Sequence, residues 1–384
     1  MQFEFATATR IVFGAGALQQ VGQGVKHLGR RALVVTGSKP QHAEKLLASL
    51  SASDIGAAIF SVAGEPEIST IENGVAFAKK ENCDFVIGFG GGSVMDAGKA
   101  IAAMLTNGGE VLDYLEIIGR GKTLAKCSAP VVAIPTTAGT GAEVTRNAVL
   151  AAPEHKVKVS LRSEFMLPRF AVIDPELTHA LPAALTATTG LDALTQLIEP
   201  FVSRRANPLT DGFCIEGITR AACSLREAVF NGQNKSARED MALASLFGGL
   251  ALANAGLGAV HGFAGPIGGS FPAPHGAVCA ALLPHVMAAN ICALREREPD
   301  SFALRRYERI AALLTDDPHA TAYAGVEWVQ KLVADLPVPN LGTFGIREEH
   351  VADLVAKAAN ASSMKANPIA LTPDELAQTL RLTL

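Results

Sequence analysis

The residues best suited to chemistry stand in two places. His261-Gly262 and His275-Gly276 lie within one stretch, Met241 to Leu294, that contains no Asp, Glu, Lys or Arg. Upstream, the run Thr188-Thr189-Gly190-Leu191-Asp192-Ala193-Leu194-Thr195-Gln196 reads as a capped helix start with Asp192 and Gln196 on one face at i and i+4. Imidazoles in apolar surroundings need partners, and two of them with a half-buried Asp can converge on a divalent ion. Satisfied core histidines are the alternative. The second place is built on glycine. Asp84 to Phe89 leads into Gly90-Gly91-Gly92-Ser93 and then into a helical pattern from Val94, an order that aims free backbone N–H groups at a phosphate. It departs from the ordinary G-x-G-x-x-G, because the glycines follow the third strand and no acidic residue ends a strand about 20 residues later. A tight turn without a ligand is the other explanation.

Pro135-Thr136-Thr137-Ala138-Gly139-Thr140-Gly141-Ala142-Glu143 also follows an apolar run. Two such loops after parallel strands fall at one sheet edge, where a dinucleotide binds. The first strand of the series ends in Thr36-Gly37-Ser38-Lys39, the place where an adenosine ribose is read. No carboxylate stands there to repel a 2′-phosphate. Gly37, Ser38 and Lys39 offer room, a hydroxyl and a cation, so NADP is permitted beside NAD; a solvated turn lysine is the plainer alternative.

These loops need elements to hold them. In the first half, β-rich runs alternate with helical patterns: Arg31 to Thr36 before His42 to Leu50, Ala57 to Val62 before Ser69 to Lys80, and Asp84 to Phe89 before Val94 to Leu105. That alternation predicts βαβ units and a parallel sheet. Pro130 to Ile134 and Phe170 to Ile173 continue the strand character, which ends near residue 174. From Pro182 onward the chain reads as helices, including the amphipathic Glu349 to Ala359 and Pro373 to Leu382. The expectation is an α/β domain over 1–178 and an all-α domain over 179–384.

Composition narrows the partners. The 384 residues are 49% apolar and 18% charged, which excludes global disorder, and a formal charge of −4 gives no basic field for nucleic acid. The six scattered cysteines form no C-x-x-C pair and read as reduced thiols of a cytoplasmic protein. The start of the chain carries Glu4 and threonines where an export signal needs a cation and an apolar core. The charge-free stretch is interrupted by Asn254, His261, Pro266, Pro272 and Pro274 and is expected to be buried core, not a membrane span. A small-molecule ligand is expected, and the apolar Ile11 to Phe13 strand is of a kind that pairs in a homo-oligomer such as a dimer.

Taken in order, RIVFGAGALQQV from Arg10, GGGSVMDA from Gly90, PTTAGTGAE from Pro135, GLDALTQLIE from Gly190 and the H-G and P-H-G elements between His261 and Pro284 make the chain resemble the iron-containing, or group III, alcohol dehydrogenases. Dehydroquinate synthase shares their fold. The resemblance implies an N-terminal dinucleotide-binding domain, a helical C-terminal domain and a metal in the cleft between them. It implies that Gly90, Gly91, Gly92 and Ser93 cradle the pyrophosphate, that Thr136, Thr137 and Thr140 line the cofactor site, and that Lys158 reaches the ribose; Gly37, Ser38 and Asp96 are counted with that site. Asp192, His261 and His275 are then the catalytic residues and, with Gln196, the ligands of Fe(II) or Zn(II).

Two departures matter. Gln196 stands where the family has a fourth ligand, a histidine, and Gly265 where it has a histidine often assigned to proton transfer. A weakened metal site follows from the first, since a neutral amide oxygen is a poorer donor. The activity implied is NAD(P)-dependent alcohol dehydrogenation, run as aldehyde or ketone reduction. Alternatives are a metal-independent reductase of an oxo or unsaturated acid, like the maleylacetate reductases, a nucleotide-binding protein without catalysis, and a lyase like dehydroquinate synthase. The last is disfavoured because no Lys or Arg lies between 241 and 294 to grip a polyanion.

Overall fold

The computed structural model describes residues 2–155 and 157–384 and divides into two compact units. The sheet unit comprises Ala6–Thr137 and Gly141–His179; among the described residues, the helical unit comprises Ala180–Leu384 with residues 138–140 and 2–5. The strands are β1 (Arg10–Phe13), β2 (Arg31–Thr36), β3 (Gly56–Ser61), β4 (Phe85–Gly90), β5 (Val131–Pro135), β6 (Asn147–Ala152), β7 (Val157–Arg162) and β8 (Phe170–Ile173). Six of them form a sheet in the order β1-β8-β5-β4-β2-β3, parallel at every pairing. Helices α1 (Val21–Val25) and α2 (Glu44–Ser51) cover one face, and α3 (Ile68–Lys80) and α4 (Gly92–Asn107) cover the other.

The sequence pattern explains this. In β2, Leu33 and Val35 join the core under α3 and α4, while Ala32 and Val34 join the core under α1 and α2. A strand buried on both faces needs an unbroken apolar run, and RALVVT supplies one. Each fully buried Leu, Val or Ile contributes about 1.5–3 kcal/mol. Helix α4 lies close on β4 because both carry glycine at the contact: a Cβ on Gly88 would stand 3.2 Å from Met95 Cα, and one on Gly98 3.5 Å from Gly88 Cα.

Registration then sets the functional edge. Thr36 of β2 pairs with Phe89 of β4, and Gly90 pairs with Pro135 of β5, so the loops after three strands emerge side by side. From β2 the chain winds outward to β3, and from β4 it winds the other way to β5, which makes the β2/β4 boundary a topological switch point.

Two expectations are corrected. The segment Asn147–Arg162, unassigned in the strand series, holds the antiparallel pair β6 and β7. Its inward positions Ala148, Leu150, Val159 and Leu161 alternate with half-exposed ones and pack on the α3/α4 side. Val149 N–H also donates to Asp96 Oδ2 at 3.0 Å. The run from Thr188 is not a helix start: α5 spans Ala183–Val202, and the hydroxyls of Thr188 and Thr189 donate back to carbonyls three and four residues earlier. A threonine can satisfy its hydroxyl inside a helix as well as cap one.

The helical unit continues with α6 (Pro208–Phe230), α7 (Lys235–Ala255), α8 (Ala259–Ser270), α9 (His275–Arg297), α10 (Phe302–Thr315), α11 (Ala322–Asp335), α12 (Val351–Ala359) and α13 (Pro373–Arg381). Helix α5 is buried from Gly190 to Val202. Small residues let its neighbours close in, since a Cβ on Gly190 would meet Leu225 of α6 and one on Gly217 would meet Leu197. Helices α7 and α8 meet at 99°, with Gly256 in the left-handed region at φ 76° between them. Helix α9 is long and apolar enough to cross a membrane, but 72% of its most apolar window is buried within the protein.

Candidate metal centre and nucleotide edge

Three helices bring the polar residues of the helical unit together. Helix α5 carries Asp192, Gln196 and Glu199 at i, i+4 and i+7, all buried. The first turn of α8 carries His261, and the first turns of α9 carry His275 and Cys279 at i and i+4. Asp192 Oδ1 lies 3.4 Å from His261 Nε2 and 3.6 Å from His275 Nε2. Cys279 Sγ lies 3.8 Å from His261 Nε2 and 3.7 Å from His275 Nε2. One donor atom from each of these four residues lies within 4.8 Å of every other.

Glu199 fixes this arrangement. Its Oε1 accepts the Val260 N–H at 2.7 Å and its Oε2 meets His261 Nδ1 at 2.7 Å. One carboxylate thus caps the start of α8 and turns His261 so that Nε2 faces Asp192. Gly258 makes room, since a Cβ there would stand 2.8 Å from Glu199 Oε1. A carboxylate behind a histidine is the usual partner of a metal-ligating imidazole.

The electrostatics belong to the cluster. Burial by itself holds the histidines down, but the Cys279 sulfur and the Asp192 carboxylate outweigh it, pushing His275 up to about 9 and His261 well above its ordinary range. Burial by itself raises Asp192; the charges of His275 and His261, with the Gln196 amide contributing, hold its carboxyl below the usual range. Asp192 Oδ1 and Gln196 Oε1 are nevertheless buried without a hydrogen-bond partner. A buried, orphaned carboxylate oxygen facing two imidazole nitrogens fits a divalent cation, because a cation satisfies the oxygen and takes the imidazoles as neutral donors.

At the sheet edge, Gly91 caps α4 with no side-chain hydrogen bond, and the first-turn N–H groups of Gly92 and Ser93 begin a 16-residue helix. The helix thus starts two residues earlier than its apolar pattern, inside the glycine run. Gly90 is required: a Cβ there would stand 2.7 Å from Val94 Cβ. Thr136 N–H donates to Gly90 O at 2.9 Å, and a Cβ on Gly91 would touch the Thr137 side chain at 3.5 Å. Between these residues and Thr36, Gly37, Ser38, Lys39 and His42 lies a cavity of about 190 Å³. A cavity of equal size lined by Thr7, Thr9, Ser128 and Arg169 sits at the amino ends of β5 and β8, the edge that parallel sheets do not use for ligands.

The expected residues are thus sorted. Gly37, Gly90, Gly91 and Thr136 share the cavity, with Ser38 beside Lys39, and Gly92, Ser93 and Thr137 adjoin it. Asp96 pairs with the buried Lys99 at 2.9 Å and accepts from Val149 N–H. Lys158 on β7 pairs with Glu65 at 3.1 Å. Thr140 belongs with residues 138–140 to the helical unit, where Gly139 packs on Thr189. Gly265, one turn beyond His261 on α8, has open space where a side chain would stand.

Sequence reasoning missed Cys279, Glu199 and Lys99. The spacings 275/279 and 192/196/199 were signals for the first two. Lys99 was legible only as part of α4, yet its ammonium donates to Ala142 O at 3.1 Å and Thr145 Oγ1 at 3.0 Å, tying α4 to the end of the Thr136–Glu143 segment.

Comparison with known proteins agrees along the whole chain. The family "Iron-containing alcohol dehydrogenase" matches residues 8–175, and "Fe-containing alcohol dehydrogenase family, C-terminal" matches residues 186–384. The 1,3-propanediol dehydrogenase of Klebsiella pneumoniae is 38% identical over 99% of this chain and 98% of its own length. The NAD-dependent methanol dehydrogenase of Bacillus methanolicus is 34% identical over 96% and 97%. The crystal structure of a 1,3-propanediol oxidoreductase superposes over 100% of both chains with a TM-score of 0.93 and 35% identity. The chain therefore belongs to the iron-containing alcohol dehydrogenase family and is an oxidoreductase acting on CH–OH groups.

Proposed function

We propose that this protein is an NAD(P)-dependent alcohol dehydrogenase that interconverts small alcohols with aldehydes or ketones and works with a divalent metal, Fe(II) or Zn(II). The observation that carries the metal reading is Asp192 Oδ1, buried without a partner between two imidazoles that Glu199 and the α9 turn hold in place. Asp192, His261 and His275 would hold the ion, with Gln196 beside them. Such an ion, when bound, supplies Lewis acidity toward a carbonyl or alkoxide oxygen.

The rest is the work of the chain. The α4 N-terminus and the Gly90–Gly91 backbone bind the pyrophosphate, and Thr136 and Thr137 line the approach. Gly37, with nothing within 4 Å of its Cβ position, leaves a 2′-phosphate unobstructed, and Lys39 lies near enough to the cavity to attract it. NADP(H) is thereby admitted, and no carboxylate at the end of β2 selects for NAD(H). Because residue 265 is glycine, no side chain there moves the hydroxyl proton. The relatives act on 1,3-propanediol and methanol by name. A small, uncharged alcohol or aldehyde suits a helical segment from 241 to 294 without Lys or Arg.

The test follows NADH and NADPH oxidation with a series of aliphatic aldehydes, before and after exhaustive chelation and after reloading with Fe(II) or Zn(II). Activity lost on chelation and restored by one of the ions is expected. Undiminished reduction by metal-free protein would replace this proposal with a metal-independent reductase, and nucleotide binding without turnover would replace it with a non-catalytic protein.

A further inference from the structure

We infer that Cys279, as a thiolate, is the fourth protein ligand of the metal, in place of the histidine that Gln196 replaces. The inference rests on the metal-dependent reading above and deepens it. Cys279 is fully buried, and its i, i+4 spacing from His275 on α9 puts both side chains on one face. A buried cysteine is ordinarily a small apolar filler. Cys214 shows that behaviour: it lies in the apolar core of the helical unit, and burial drives its thiol far up. The surroundings of Cys279 are different. Its sulfur faces two imidazole nitrogens at 3.7 and 3.8 Å and shares the cluster with a carboxylate oxygen that has no hydrogen-bond partner.

The edge lengths support coordination by all four groups. With bonds of about 2.0–2.1 Å to nitrogen or oxygen and about 2.3 Å to sulfur, a tetrahedral site has nitrogen–oxygen edges of roughly 3.3 Å and nitrogen–sulfur edges of roughly 3.5–3.6 Å. The corresponding edges here are 3.4 and 3.6 Å to oxygen, and 3.7 and 3.8 Å to sulfur. These four edges lie within a few tenths of an ångström of tetrahedral values, and the other two are no longer than 4.8 Å. Asp192 and the thiolate supply two negative charges to a divalent ion, His261 and His275 enter neutral, and the Glu199 carboxylate stands behind His261. As the sulfur–metal bond forms, the Cys279 S–H bond breaks and its proton goes to solvent. A soft sulfur shifts preference toward thiophilic Zn(II) or Co(II) and away from Mg(II) and Mn(II).

Cobalt(II) is the probe. Metal-free protein is titrated with Co(II), and its absorption is recorded from the near ultraviolet through the visible, with bound metal counted by elemental analysis. The wild-type protein should take up about one Co(II) per chain and show an intense thiolate-to-cobalt charge-transfer band beside the weaker visible bands. Cys279→Ser, with its fold checked by circular dichroism, should retain visible bands from Asp192 and the two histidines and lose the charge-transfer band. Its Co(II) affinity should fall by more than the roughly 10- to 100-fold typical of losing an outer-sphere partner. Gln196→Ala should keep the band. A wild-type cobalt protein without the charge-transfer band overturns the inference and leaves the proposed dehydrogenase intact; a band that survives in Cys279→Ser does the same. Failure of the wild-type chain to bind any of Co(II), Zn(II) and Fe(II) overturns both.

Discussion

Glu143 closes the Thr136–Glu143 segment, and its titration should be readable as a pH-dependent stability. The side chain is 1% exposed, Oε2 has no hydrogen-bond partner, and burial pushes the carboxyl up to about 7 from an ordinary 4.5, against its own backbone hydrogen bond and the positive charge of Lys99. A folded-state value above the unfolded one means that the native chain binds more protons between those limits, so stability falls as pH rises from about 4.5 through about 7. At 1.36 kcal/mol per unit, the full cost above pH 7 is about 3 kcal/mol. Glu143→Gln removes the titration while keeping the shape. The assay compares wild-type and Glu143→Gln melting temperatures from pH 5 to 8.5. The variant should gain on the wild type as pH rises, by roughly 6–12 °C if the sheet unit melts as a domain of its size. Parallel curves at all pH values would refute the assignment of a buried, proton-holding carboxyl at the end of this loop.

Three further outcomes are expected. Glu199→Gln should keep the Val260 cap through its amide oxygen but lose the charge behind His261, lowering metal affinity by about 10- to 100-fold in a titration of metal-free protein. Gly37→Asp, placed where nothing lies within 4 Å, should shift the ratio of kcat/KM values toward NADH by repelling a 2′-phosphate; an unchanged ratio would mean the end of β2 does not read the ribose. Gly265→His should fold with stability within about 1 kcal/mol of wild type, because its Cβ meets no atom and a helical glycine is itself unfavourable. Its chain-length profile on aliphatic alcohols should narrow, and an unchanged profile would place substrate away from α8.

What could be read from the chain depended on how local the signal was. The central strands carry near-continuous apolar runs because both their faces are covered, so β2, β4, β5 and β8 were evident within a residue or so. The β6–β7 pair was not, since Asn147–Ala152 mixes alternation with small residues that suit a helix as well. Asp192, His261 and His275 were legible as residue types. Their convergence was not, because it depends on the 99° turn between α7 and α8 and on a carboxylate of α5 reaching the first turn of α8. Lys158 and Asp96, taken from the family pattern, lie in ion pairs that no periodicity announces.

The strongest functional statement comes from the cost of one helix face. From Gly190 to Val202, α5 is buried, and most of its side chains are apolar, yet Asp192, Gln196 and Glu199 share one stripe of it. Glu199 is satisfied by Val260 and His261, whereas Asp192 Oδ1 and Gln196 Oε1 are not satisfied by protein. Each unsatisfied buried polar atom costs about 1–3 kcal/mol, more when charged. At Asp192 the charges of His275 and His261 offset that cost, whereas at Gln196 Oε1 it stands. A cation held by Asp192, the two imidazoles and the Cys279 sulfur, as proposed above, would give Asp192 Oδ1 its missing partner. The penalty sits where the histidines of α8 and α9 meet α5, and it follows that metal-free protein should be the less stable form, with Zn(II) or Co(II) raising its melting temperature in proportion to the logarithm of free ion concentration.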